Sequence, residues 1–276
     1  MIEISKQSQR VYRVAHGIRA TIAVGMLALC AFLVGCSSSD GGAASDSTPA
    51  APVDYRSAMV SRLTGEWGDS ALAEEVVERV GVGALESWEE RVPMEDVATT
   101  PLLSYHPDTT PAAQINTLVV FTFGYRGDLE SETEPGPVNE QMAAEVMDFL
   151  AEYPVPVYAQ TNVASLLQDA GVPQVTSIDR VVGPDGEITY LSTLGAAEAI
   201  LAISSESGNA LGIVGVVCFA DHEGRCVLTA EAAGMAATAV EGIDLPTTYD
   251  TESAQPWTRD RVSYLAIDLF GRLTLP

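Results

Sequence analysis

In Asn116-Thr117-Leu118-Val119-Val120-Phe121-Thr122-Phe123-Gly124, residues Thr117–Phe123 form a continuous apolar, β-branched run closed by a glycine. It carries no polar alternation, so it predicts a strand buried on both faces, as in a parallel sheet covered by helices. Leu211–Cys218 is a second such run and the most apolar of the set. Between and after these runs, strand and helix patterns alternate. Asn139 is the predicted cap of a helix to about Glu152, with Met142, Val146, Phe149 and Leu150 turned inward. Val155–Tyr158 reads as a strand, Asn162–Ala170 as a helix stopped by Gly171, and Gln174–Ile178 as a strand. Pro184-Asp185-Gly186 predicts a turn joining hairpin arms Arg180–Val182 and Glu187–Leu191. Ser192 or Thr193 caps the next helix. After Cys218 the pattern predicts a helix near Leu228–Val240, a strand near Leu245–Tyr249 and a last helix from Pro256 to Leu273. The expected fold is therefore α/β, a mostly parallel, Rossmann-like sheet of about five strands with helices on both faces.

Upstream the chain changes character. Residues 54–92 show helical spacing, with Asp69 and Ser70 as caps and Leu72, Val76, Val77 and Val80 on one face; Pro93–Gln114 holds four prolines and reads as loop. Residues 54–115 are thus expected as a helical segment and loop packed on an α/β domain at 116–276. Ser37–Val53 is Ser, Gly, Ala, Asp and Pro with little to bury, a tether. Ahead of it, Lys6, Arg10, Arg13 and Arg19 precede an apolar stretch from about Ala20, which ends in Leu33-Val34-Gly35-Cys36. A basic head, a short apolar centre and small residues before a cysteine predict an export signal over residues 1–35 and a lipidated Cys36. The stretch is short for a spanning helix, which needs about 20 apolar residues; an uncleaved signal anchor is the alternative. An acylated Cys36 would hold the chain to a membrane or envelope.

Four of the 14 basic and one of the 38 acidic residues fall in residues 1–35, leaving 10 arginines, no lysine and 37 acids, a charge of −27. Such a surface repels nucleic acid, which is excluded as a partner. About 220 residues follow the tether, enough for one core. Beyond the anchor two cysteines remain, Cys218 and Cys226. In an oxidising space they are expected as a disulfide, with two free thiols as the alternative. A metal pair would lack ligands beyond His222 and its acidic neighbours.

In an open parallel sheet, ligands bind beyond the carboxyl ends of strands where strand order reverses. The common orders set the first strand beside the fourth. Gly124-Tyr125-Arg126-Gly127-Asp128 would then face Ala220-Asp221-His222-Glu223-Gly224-Arg225-Cys226, and Arg126, His222 and Arg225 would converge on one crevice. Guanidinium groups suit a phosphate or carboxylate, and His222, of the side-chain type most used as a general acid or base, is the candidate catalytic residue. Tyr125 and Gln160 join the candidate ligand contacts. The competing reading is that Arg126 and Arg225 only neutralise Asp128, Asp221 and Glu223. His106 stands before a proline in the loop and reads as solvated. No G-x-S-x-G, H-E-x-x-H, P-loop or G-x-G-x-x-G is present, and no cofactor is indicated.

Over Asn116–Leu273 the order of elements resembles the YdcF/SanA/ElyC-type envelope proteins. The likeness rests on the strand Leu118–Gly124, the passage LLQDAGVPQ (Leu166–Gln174), Ser192-Thr193 ahead of a helix, His222-Glu223-Gly224-Arg225 after the fourth strand, and the closing helix. The resemblance implies a Rossmann-like domain with an envelope-related role, nucleotide-like ligands in some members, and site functions for Thr193, His222 and Arg225. The family's glycines after the second strand are replaced by Ala159-Gln160-Thr161-Asn162, and its acidic-Asn pair by Leu194-Gly195-Ala196. Two functions follow as expectations. One is a lipid-anchored domain that binds, or acts on, an anionic small molecule in envelope metabolism. The other is a noncatalytic lipoprotein with a degenerate site that binds another envelope protein. A redox role for Cys218 and Cys226 is the weaker third, since their spacing is unlike C-x-x-C.

Overall fold

The computed structural model describes residues 54–127, 133–178, 181–182, 188–189, 191–273 and 275. The export signal, Cys36 and the tether lie outside the described residues, as does the turn at 184–186.

Six parallel strands form one sheet in the order β1-β10-β9-β2-β5-β6. They are β1 (Thr109–Thr110), β2 (Thr117–Val120), β5 (Val157–Gln160), β6 (Val175–Ile178), β9 (Ile213–Val217) and β10 (Ala236–Val240). Two small antiparallel ladders lie outside it, β3 (Arg126–Gly127) with β4 (Thr133–Glu134), and β7 (Val181–Val182) with β8 (Ile188–Thr189). The second is the expected hairpin. β2 sits at the centre, Val119 opposite Val216 of β9 on one side and Tyr158 of β5 on the other. The chain steps outward from β2 to β5 and β6, then returns to β2's other edge with β9. Strand order therefore reverses between β2 and β9, as expected.

All four β2 residues are buried, and the two-residue period of a strand sends them into two cores. Leu118 and Val120 join Val138, Met142, Val146 and Phe149 of α4 (Gly136–Glu152) and Val163 and Leu167 of α5 (Thr161–Asp169). Val119 and Phe121 join Ala196, Ala197 and Ile200 of α6 (Thr193–Ser207) and Val227 and Ala230 of α7 (Glu223–Ala233). Burying each Val or Leu is worth about 1.5–3 kcal/mol, which makes a strand apolar on both sides the nucleus of a two-faced fold. A third core joins α1 (Tyr55–Trp67), α2 (Ser70–Val80) and α3 (Val82–Glu89) to Leu265, Ala266, Leu269 and Leu273 of α8 (Arg261–Leu273).

Several expectations need correction. The sheet has six strands, because Thr109–Thr110 in the proline-rich loop pairs with β10. The helix expected to run through Val240 ends at Ala233, where Gly234 takes φ +105° and its N–H caps Ala230 and Glu231. The alanine-rich stretch beyond it is β10, paired with β9. Residues 245–249, expected as a strand, have no regular structure. Asn139 is no cap. The helix begins at Gly136, and the buried Asn139 side chain accepts from Phe123 N–H at 3.0 Å and donates to Gly124 C=O at 2.9 Å. It thereby fixes the turn out of β2.

Candidate functional site

Because β2 and β9 are neighbours, the segments that follow them emerge side by side at the carboxyl edge of the sheet. Aromatic side chains occupy the space between them. Phe123 stacks on Phe219 with ring centroids 4.1 Å apart. Tyr249 and Tyr264 close on them edge-on, at 4.6 Å from Phe219 and 4.7 Å from Phe123. Offset stacks and edge contacts are the favoured geometries for such rings, so this is a packed cluster.

Arg126 lies on one side of that cluster. Its Nε and Nη2 donate to the two oxygens of Asp250, each at 2.9 Å, and Nη2 also reaches Glu252 at 2.9 Å. The hydrogen bonds to Asp250 raise the guanidinium pKa further and lower that of the carboxyl. Segment 250–259 is latched onto the loop after β2. Ala254 N–H donates to Tyr125 C=O at 2.7 Å, and Ser253 Oγ donates to the same oxygen at 3.3 Å. Gly124 is required there. It has φ +69°, and a Cβ would stand 2.6 Å from Ser253 Oγ and 2.7 Å from Thr258 Oγ1. Tyr125 is buried at this seam.

On the other side is a denser network around Asp268, a carboxylate of α8 only 2% exposed. Its Oδ1 accepts from Arg225 Nε at 2.9 Å and from Tyr264 Oη at 3.1 Å; its Oδ2 accepts from Arg272 Nε at 2.6 Å. His222 Nδ1 stands 3.8 Å from Oδ1, too far for a hydrogen bond, and the ring lies close enough to the Cys226 thiol to favour its ionised form. Burial opposes ionisation of Asp268, but Arg272, His222 and Arg225 outweigh it and hold the carboxyl far below the ordinary range. Two Gly-Arg pairs make the arrangement possible. A Cβ on Gly224 would meet Tyr105 O at 2.8 Å and Arg272 Nη2 at 2.9 Å; one on Gly271 would meet Arg225 Cδ at 2.7 Å. Each helix carries a glycine where the other's arginine crosses.

The remaining ring nitrogen of His222 faces Thr193 Oγ1 at 3.4 Å, at the start of α6. Ser192 caps that helix by accepting from Gly195 N–H. Beneath His222 lie Cys218 and Cys226, both fully buried. They are free thiols, so the expected disulfide is corrected to its alternative. Burial opposes a Cys226 thiolate, yet the hydrogen bond from Cys218 and the nearby His222 and Arg225 bring its pKa down to about 6. Burial pushes Cys218 well above its ordinary value. The first turn of α7, where Cys226 sits, also favours a negative charge. Among the described residues no group of three or more His, Cys, Asp or Glu side chains is placed to hold a metal ion.

Of the predicted site residues, the structure brings together Thr193 and His222. Arg225 is turned away from solvent into Asp268, and Arg126 is paired with Asp250 and Glu252. Their partners are not the local acids Asp221 and Glu223. Asp221 instead accepts from Tyr249 Oη at 2.7 Å and from Arg261 at 3.0 Å. Gln160 is a buried brace. Its Oε1 accepts from Thr122 N–H at 2.9 Å and from Thr122 Oγ1 at 3.0 Å. His106 is exposed and pairs with Glu66 at 2.6 Å. Sequence reasoning missed Asp268, Tyr264 and Arg272. Their signal was an acid on the buried face of the last helix, among Leu265, Ala266, Leu269 and Leu273.

Fold and site together define an α/β protein with a six-stranded parallel sheet whose switch point is aromatic, flanked by a buried Asp–Arg–Tyr–His network. No family model, no curated protein and no solved structure matches the chain. The likeness to the YdcF/SanA/ElyC-type proteins therefore stands on its residues alone.

Proposed function

We propose that this is an exported lipoprotein, anchored through Cys36, whose α/β domain is a noncatalytic module that binds another envelope protein. One observation carries the choice over anion binding. Both arginines that would hold the anion are committed to the chain's own carboxylates, Arg126 to Asp250 and Arg225 to Asp268. A phosphate would have to displace a charge-assisted pair, in the second case a buried one. The helical layer α1–α3 adds a surface that the sheet's own two cores do not need. Partner recognition there is the simplest use for it.

A second reading keeps a small-molecule site at Thr193 and His222, favoured by their approach at the carboxyl edge. Cross-linking of the full chain in intact cells separates the two. The partner-binding reading expects a discrete cross-linked species that survives Thr193→Ala and His222→Ala. Charge reversal of the exposed Glu74 and Glu78 on α2 abolishes it. A small mass that co-purifies with the detergent-extracted chain, and is lost in Thr193→Ala, overturns that reading in favour of the second.

A further inference from the structure

Three large, exposed apolar side chains gather in one place. Trp257, Ile267 and Phe270 are 43%, 43% and 49% exposed, and with Val80 and Ala266 they line a groove of about 320 Å³ between α2, α8 and the turn at Pro256. Contiguous exposed apolar surface of this kind marks an interaction face. Its charge sets it apart from the rest of the molecule. In a chain with 38 acidic and 14 basic residues, the lining contains one arginine, Arg79, and no carboxylate. Asp260, one turn before Ser263, is engaged by Ser263 N–H and Oγ at 2.8 Å each.

The groove also lies where the chain enters the domain. Helices α1 and α2 are joined by Gly68 and Asp69 alone and pack side by side, which makes them an antiparallel hairpin. The end of α2, with Arg79 and Val80, therefore lies beside the start of α1 at Tyr55. Packed helix axes are about 8–10 Å apart, so Asp54 is within a helix diameter or so of the groove's α2 wall. From Asp54 the 17 residues Ser37–Val53 lead back to Cys36. A chain of that length, taken as a Gly/Ser-type coil, has a root-mean-square span of about 21–25 Å. An anchor at Cys36 holds the groove close enough to lipid that even weak interfacial affinity suffices.

We infer that this face rests on the bilayer, with Trp257, Ile267 and Phe270 at the level of the headgroups and Arg79 beside lipid phosphate. The inference rests on the anchor half of the function proposed above. A tryptophan flanked by aliphatic side chains and a basic residue is the composition that interfaces favour. The strongly acidic remainder is repelled by anionic headgroups and turns outward.

Tryptophan fluorescence tests it, because of the three tryptophans Trp88 is buried and Trp67 packs against the helical core. The full chain is extracted from its membrane and reconstituted in phosphatidylethanolamine–phosphatidylglycerol vesicles containing brominated lipid. Quenching is expected, lost in Trp257→Phe and reduced in Ile267→Ser. Intact mass of the same sample reads the anchor independently. Acyl mass on Cys36 without quenching overturns the bilayer face and leaves the anchor standing. Absence of acyl mass overturns both. Quenching that persists in Trp257→Phe, or cross-links from position 257 to a protein without lipid quenching, overturns the assignment of this groove to lipid.

Discussion

Arg126 follows β2 and Arg225 follows β9, the two strands that meet at the middle of the sheet, yet their surroundings differ. Arg126 is 36% exposed and joins two surface segments through Asp250 and Glu252. Arg225 is 16% exposed and shares the sealed Asp268 with Arg272 and Tyr264. The first pair is open to water on the arginine side, while its carboxylate is 8% exposed, so solvent screens it only in part. The second lies where removing one partner strands the others. The same residue type, placed after adjacent strands, thus latches a loop in one case and organises a helix crossing in the other.

The sharpest way to break this contrast is Asp268→Ala. It leaves two guanidinium groups and the Tyr264 hydroxyl facing each other in a buried space. The expected loss is about 3–5 kcal/mol in urea unfolding, with a smaller loss for Asp268→Asn, which retains an acceptor. A loss no greater than that of a surface substitution would mean that the network is open to water.

Next in size are the glycines at the crossing of α7 and α8. Gly224→Ala drives a methyl against Tyr105 backbone at 2.8 Å and is expected to cost about 1–3 kcal/mol. Gly271→Ala meets only the Arg225 side chain and is expected to cost less. Equal costs would show that Arg225 is as immobile as backbone.

This pair also shows what the sequence conceals. The runs 117–123 and 211–218 revealed a parallel sheet because burial on both faces demands unbroken apolar composition, and the common strand orders of such sheets supplied the β2–β9 adjacency. Ala236-Ala237-Thr238-Ala239-Val240 gave no such signal, since alanine fits helix and strand alike; only Gly234 marks the break. At the site, His222 was legible because it opens a helix at a strand end, and Thr193 because the resemblance implied it. Arg225 was read as facing a ligand because its partner, Asp268, lies 43 residues away and reaches it only through the fold. The arginine's direction is set by that tertiary contact, which no local spacing encodes.

A finer probe lies beneath His222. Folding lowers the Cys226 pKa from 9.0 to about 6, so the folded chain holds a thiolate where the unfolded chain holds a thiol. Unfolding then takes up a proton between about pH 6 and 9. Stability from this group is full above about pH 9 and is lost as the pH falls through about 6, with a slope of at most about 1.4 kcal/mol per unit. Cys218, shifted the other way, stays protonated across the window. Urea titrations from pH 6 to 9 are expected to slope upward in the parent chain and to flatten in Cys226→Ala. An unchanged slope would place the titrating group elsewhere.

The smallest effect is expected from Arg126→Ala, and it sharpens the comparison from its weak side. Asp250 keeps an acceptor role without Arg126, since Glu252 N–H donates to it at 3.0 Å. The loop after β2 keeps its bond from Ala254 to Tyr125. What is lost is a pair whose arginine is 36% exposed and whose carboxylate is 8% exposed, so it is screened by salt more than the sealed Asp268 network. The shift in unfolding midpoint should therefore be smaller than that of Gly271→Ala and should shrink further as salt is raised, whereas that of Asp268→Ala should not. If Arg126→Ala proves as damaging as Asp268→Ala, and salt leaves it unchanged, then the loop after β2 is as much a part of the core as the α7–α8 crossing. In that case the aromatic cluster between them is held from both sides alike.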